Sequence, residues 1–169
     1  MPTVTFNHDL LRRIQLNANI VHDSEAWGDR LGLIGCSVEK CDDEIVEIEV
    51  FPDRPDLLSA ETMAFAARTF LHEQEAKPAL KVTSGDITMT VDPSLEQVRP
   101  IVLGAVVRGV DTGHTDEARN EFIQGIMDHQ EKLHFALGRG RKRTSVGVHD
   151  LSKLHPPFRV ITVDSNYSF

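Results

Sequence analysis

Arg139, Gly140, Arg141, Lys142 and Arg143 place four positive charges in five residues of a chain whose 26 Asp+Glu outnumber its 18 Lys+Arg. The chemistry such a cluster serves is anion recognition. Guanidinium and ammonium groups supply salt-dependent, sequence-neutral affinity for a phosphate backbone. A bland reading stands beside it: a solvated turn whose cations answer an acidic surface and the negative end of a helix. Charge alone leaves both open. A net charge of -8 argues against a protein that coats nucleic acid along its whole surface, and it leaves room for a local contact.

The other reactive residue types assemble less well. His129 and His134 are five apart on a helical stretch, not the i, i+4 spacing that puts two imidazoles on one face, and no HExxH pattern is present. His149 and Asp150 are adjacent in a strand-like stretch and would point to opposite faces, with His149 a hydrogen-bonded strand residue and Asp150 a turn former. Cys36 and Cys41 lack a CxxC spacing and a nearby His pair, which fits two reduced thiols in a cytosolic protein. Glu47 and Glu49 share the solvated side of a sheet. No phosphate-binding loop, dinucleotide fingerprint or nucleophile elbow occurs. No nucleophile, base and oxyanion hole come together, so neither a catalytic residue nor a metal site is assigned.

These residues need elements to hold them. The 169 residues suffice for one full domain or two small ones. No apolar run approaches the ~20 residues that span a bilayer, and the N-terminus has no basic region followed by an apolar core. Asn7 is a plausible N-cap for a short helix bearing Leu10, Leu11 and Ile14. Residues 15–23 read as a loop. A second helix starts after Asp23 or Ser24, with Trp27, Leu31 and Ile34 on one side and Gly35 at its C-cap. Val38 to Cys41 and Glu44 to Phe51 form a hairpin around Asp42-Asp43, and Val46, Ile48 and Val50 alternate with Glu47 and Glu49. The two prolines of 52–56 stop that strand, and Asp56 is placed to cap a helix carrying Leu57, Ala60, Ala64, Ala67 and Leu71. Pro78 marks the best internal boundary.

Beyond it, Leu80 and Val82 are expected to face Ile87, Met89 and Val91 across Ser84-Gly85-Asp86 as a second hairpin. The apolar run 101–107 predicts a strand buried on both faces. Thr115 caps a long helix with Phe122, Ile126, Leu133 and Leu137 inward, widened by Ile123, Met127 and Gln130, and Gly138 ends it. Val146 and Val148 mark a strand, and another starts at Phe158 after Pro156-Pro157. The fold class is α+β: a small N-terminal α+β module at 1–77, then the beginning of a second α+β domain at 78–169. The ending at Asn166-Tyr167-Ser168-Phe169, soon after a strand, suggests a fold cut short, with unpaired edges that make the second half the less stable.

Several segments, taken in order, carry a family resemblance: the opening Met-Pro-Thr-Val, Phe51-Pro52-Asp53-Arg54-Pro55-Asp56-Leu57-Leu58-Ser59, Gln130-Glu131-Lys132-Leu133-His134, Gly138-Arg139-Gly140-Arg141-Lys142-Arg143, Val146-Gly147-Val148-His149-Asp150-Leu151 and Pro156-Pro157-Phe158. The set resembles the N-terminal part of the beta subunit of phenylalanyl-tRNA synthetase, of the archaeal and eukaryotic type. It departs at Asp53, where the family usually carries Asn. The resemblance implies an α2β2 ligase that charges tRNA(Phe) with phenylalanine using ATP and Mg2+, its aminoacylation site in the alpha subunit. The beta subunit contributes structure, tRNA contact and an editing domain that hydrolyses Tyr-tRNA(Phe), a step needed where a pocket rejects a close analogue too weakly by binding alone. On this reading 78–169 opens the editing domain, whose pocket lies largely downstream. The chain itself binds neither ATP nor Mg2+ and is not catalytic, its partners are the alpha subunit and tRNA(Phe), it acts in the cytoplasm, and Arg139, Arg141, Lys142 and Arg143 are candidates for RNA contact. The rival is a stand-alone tRNA-binding or trans-editing module. A third class is a purely structural protein that docks a partner through the helix at 57–71.

Overall fold

The computed structural model describes residues 2–74 and 81–168. It is an α+β fold that divides into two compact units, one of Met1–Pro78 with Thr112–Gly147, the other of Ala79–Asp111 with Val148–Phe169. The predicted boundary at 77/78 lies outside the described residues. A linear division there would put everything after 78 into one module, whereas packing places Thr112–Gly147 with the first unit.

The first unit is built on a three-stranded antiparallel sheet. Strand β1 (Thr3–Asn7) and strand β2 (Cys36–Cys41) flank the central strand β3 (Ile45–Val50). β1 was not expected from the sequence, yet its alternation is clear in place: Val4 lies opposite Ile48 and Phe6 opposite Val46, all four buried on one face. The β2–β3 hairpin forms as expected, with a register shift between Val38 and Lys40. Asp42 makes its turn by accepting from the Glu44 and Ile45 amides, each at 2.9 Å. The Lys40 ammonium first, and then those bonds, hold its carboxyl well below the usual carboxylate range.

Four α-helices complete the unit among the described residues. Helix α1 (His8–Leu16) is capped by Asn7, which accepts from the Asp9 amide at 2.7 Å. Helix α2 (Ser24–Arg30) is capped by Asp23 and runs into a 3-10 turn, Leu31–Ile34. The turn closes on Gly35 at φ 101°, a left-handed geometry that suits glycine. The Arg54 side chain covers Gly35: its guanidinium donates to the Ile34 carbonyl and, through Nε and Nη2, forks onto the Asp56 carboxylate. Asp56 therefore does not cap helix α3 (Ala60–His72). That position belongs to Ser59, which accepts from the Thr62 amide, and Leu57 is buried in a separate 3-10 turn, Pro55–Leu57. Helix α4 (Asp116–Ala136) is capped by Thr115, which accepts from the Ala118 amide at 3.2 Å.

The core gathers Leu11, Trp27, Leu31, Ile34, Val46, Ile48, Val50, Leu57, Leu58, Met63, Ala64 and Ala67, with Leu133 and Ala136 of α4 packed against it. The small residues of α3 allow close approach, as predicted. Buried Gln15 of α1 is satisfied there, donating to the Ala64 carbonyl at 3.1 Å and accepting from Arg68 Nε at 3.4 Å. Arg13 of α1 forks onto Glu121 of α4 at 2.7 and 3.1 Å.

The second unit departs furthest from expectation. Strand β4 (Met89–Val91) pairs in parallel with strand β5 (Phe158–Val160), not with 80–82 as a hairpin. Leu80 lies outside the described residues, and Val82 is exposed. The run 101–107 forms no strand. Leu103 is 89% exposed, because an apolar segment becomes a buried strand only beside a hydrogen-bonded neighbour, and none pairs with it among the described residues. β5 ends at Val160, short of Val163. Val146 and Val148 are not in a strand either; the Val146 backbone is engaged by a side chain of α4.

Candidate nucleic-acid interface

The basic cluster closes the C-terminal end of α4, entirely within the first unit. A helix end leaves carbonyls without partners, and here the following turn returns to fill them. The Leu137 and Gly138 amides donate to the Leu133 carbonyl at 3.0 and 2.9 Å, and the Gly140 amide donates to that of His134 at 2.8 Å. Arg139, Gly140 and Arg141 then take left-handed φ angles of 48°, 65° and 63° in succession. The Arg143 amide donates to the Gly138 carbonyl at 2.9 Å and shuts the loop. The result is a tight hook that carries its cations at the negative pole of a 21-residue helix.

Gly138 is where the hook leaves no room. A Cβ there would stand 2.5 Å from the Thr144 carbonyl oxygen and 2.6 Å from that of His134. Gly138→Ala is expected to force the hook open at a cost of about 1–3 kcal/mol. Faster amide exchange across 138–147 checks this, with the α3 peptides unchanged.

The four basic residues are not equivalent. Arg141 turns back onto α4, donating from Nε to His134 Nδ1 at 3.0 Å and from its terminal nitrogen to the Glu131 carboxylate. All four residues are exposed. The remaining sequence candidates are not drawn together. His149 is exposed, and Asp150 accepts from the Ser152 amide at 2.9 Å to start a 3-10 turn, Leu151–Lys153, the turn-forming role expected of it. Among the described residues no group of His, Cys, Asp and Glu could hold a metal ion. Cys36 and Cys41 are free thiols, and burial pushes both upward in pKa, away from the reactive thiolate.

One arrangement was missed. His8 Nδ1 lies 2.8 Å from His22 Nε2, His8 Nε2 lies 3.6 Å from Cys41 Sγ, and the His22 ring meets Trp27 edge-on at 5.0 Å. No spacing among positions 8, 22, 27 and 41 signals this, since the contacts come from tertiary packing. Burial pushes His8 and His22 down, His22 to about 4, so both rings are neutral at neutral pH.

No family model matches the chain. It is 38% identical over 169 residues to a protein of Archaeoglobus fulgidus named phenylalanine–tRNA ligase beta subunit, covering all of this chain and 29% of that protein. The same name, identity and coverage hold for a protein of Methanosarcina acetivorans. A Methanothrix thermoacetophila protein of that name is 42% identical over 137 residues, 80% of this chain and 24% of its own length. The chain thus spans less than a third of the curated relatives it matches. Among solved structures, the crystal structure of an N-terminal fragment of the phenylalanyl-tRNA synthetase beta subunit from Pyrococcus horikoshii has the same fold. It aligns with a TM-score of 0.76 at 24% identity, over 94% of this chain and 44% of that one.

Proposed function

On the premise that the chain is homologous along its whole length to part of the phenylalanine–tRNA ligase beta subunit, we propose that it is the N-terminal part of such a subunit and that its basic hook contacts tRNA(Phe). The observation that carries the tRNA contact is the hook itself. Arg139, Arg141, Lys142 and Arg143 stand on a closed, hydrogen-bonded turn of an otherwise acidic chain, and Arg and Lys are side chains that bond phosphate oxygens. The parent enzyme is an α2β2 ligase of the cytoplasm that joins phenylalanine to tRNA(Phe) with ATP. The alpha subunit holds the synthetic site, and the second unit, 79–111 with 148–169, opens the editing domain.

ATP and Mg2+ belong to the rest of the enzyme on this reading. The chain's own contribution is to position and bind. The stand-alone module is not favoured, since these relatives are longer proteins that share one name.

The test is made on the full-length beta subunit assembled with its alpha subunit. Replacing Arg139, Arg141, Lys142 and Arg143 by Gln is expected to weaken tRNA(Phe) binding and to flatten the slope of log K against log salt by about 3–4, from slopes of roughly 0.7–0.9 per phosphate contact. Unchanged affinity and slope would return the hook to a surface turn.

A further inference from the structure

We infer that His134 is the positioning residue of the hook: its imidazole latches the end of α4 to the returning chain at Val146 and to Arg141, so that the basic side chains are presented in one fixed arrangement. The inference rests on the RNA reading above and goes beyond it, because it assigns a role to a residue with no place in the charge cluster. His134 is 4% exposed, the most deeply buried side chain of α4. Its Nε2 lies 2.9 Å from the Val146 carbonyl oxygen and 2.8 Å from the Val146 nitrogen. Its Nδ1 lies 3.0 Å from Arg141 Nε.

Nε2 faces both the amide and the carbonyl of Val146, and Nδ1 faces the Arg141 Nε–H, so the ring spans the gap between the returning chain and the guanidinium whichever nitrogen carries the proton. Glu131 takes the other end of the guanidinium and is half of the same latch. The chain from His134 to Val146, a separation of 12 in sequence, is thereby pinned at both ends by one ring. The left-handed backbone at Arg139 and Arg141 costs free energy that such cross-links must offset. Preorganisation matters here because ordering a loose loop on binding forfeits affinity residue by residue.

Two variants test this in the full-length, assembled enzyme. His134→Phe keeps a ring and removes both bonds. Amide exchange across 138–147 is expected to speed up at least tenfold with the α3 peptides unchanged, and tRNA(Phe) affinity to fall about tenfold with the salt slope retained, since every cation is still present. Glu131→Gln, at an exposed position that does not threaten folding, separates latch from charge by sign. Losing a carboxylate beside the RNA should by electrostatics alone tighten binding, whereas losing the latch weakens it a fewfold. Tighter or unchanged binding by Glu131→Gln overturns the inference, as does unchanged exchange in His134→Phe, or faster exchange with unchanged affinity. Failure of the four-residue Gln replacement to alter tRNA binding would instead remove the RNA reading, and the exchange data would still decide whether His134 holds the hook.

Discussion

Trp27→Ala is expected to lower the unfolding free energy of the first unit by about 3–5 kcal/mol, the range for deleting a large aromatic from a packed core. Trp27 is wholly buried in a core that draws on every part of the unit: the 3-10 turn with Leu31 and Ile34, the sheet with Val46 and Ile48, and α3 with Met63 and Ala67. Its Nε1 has no acceptor among the described residues, so the loss is one of packing. Urea denaturation followed by far-UV circular dichroism checks it, because the replacement removes the chain's single tryptophan as a fluorophore. A change below about 1 kcal/mol, the level of an ordinary point substitution, would show that the core does not depend on this ring.

Mild acid is expected to destabilise the same unit, in a window above the one where carboxylates act. His22 has an ordinary pKa of 6.5 that falls to about 4 on folding, first through burial and then through His8, Arg12 and His72. His8 and His72 are pushed down as well, in both cases first by burial. A base with a lowered folded pKa takes its proton more readily in the unfolded chain. Its contribution is therefore intact above pH 6.5, declines as pH falls from 6.5 toward 4, and is gone below that. For His22 the span corresponds to ~3 kcal/mol. Asp56, held down mainly by its bonds with Arg54, acts below its ordinary 3.8 and stays out of the window. Stability measured by urea between pH 7.5 and 4.5 should fall smoothly in the native chain and much less in His22→Leu. Equal stability across that range would contradict the assignment of neutral, buried rings.

Local signals carried most of the first unit. Asn7 and Thr115 cap the helices they were expected to cap, and Asp23, one of the two starts offered for α2, caps that one, because an N-cap is decided by one side chain and the next three amides. The β2–β3 hairpin was legible because its turn and its alternation lie within sixteen residues. Strand β1 was not, since five residues show an alternation only when their partner is known. Ser59 displaced Asp56 as the α3 cap because Arg54 had already engaged the aspartate, a competition invisible to a local rule. The second unit was misread for a related reason. Residues 89–91 have two possible partners, one nearby and one almost seventy residues away, and the distant one wins. At the hook, the charges and the terminating glycine were evident in sequence. The role of His134 was not, because its partner Val146 had been taken for a strand residue.

The first unit consists of two stretches of chain with 79–111 between them. That interruption has a consequence during synthesis. A ribosome adding ~5–20 residues per second needs roughly 3–14 s to travel from residue 78 to residue 147. For that interval the sheet and α1–α3 exist without Leu133, Ala136 or the Glu121 partner of Arg13. The hook is the last piece of the unit to emerge, and it can close only when Val146 clears the exit tunnel. The nascent protein therefore gains its ordered basic surface only as the rest of the first unit is completed.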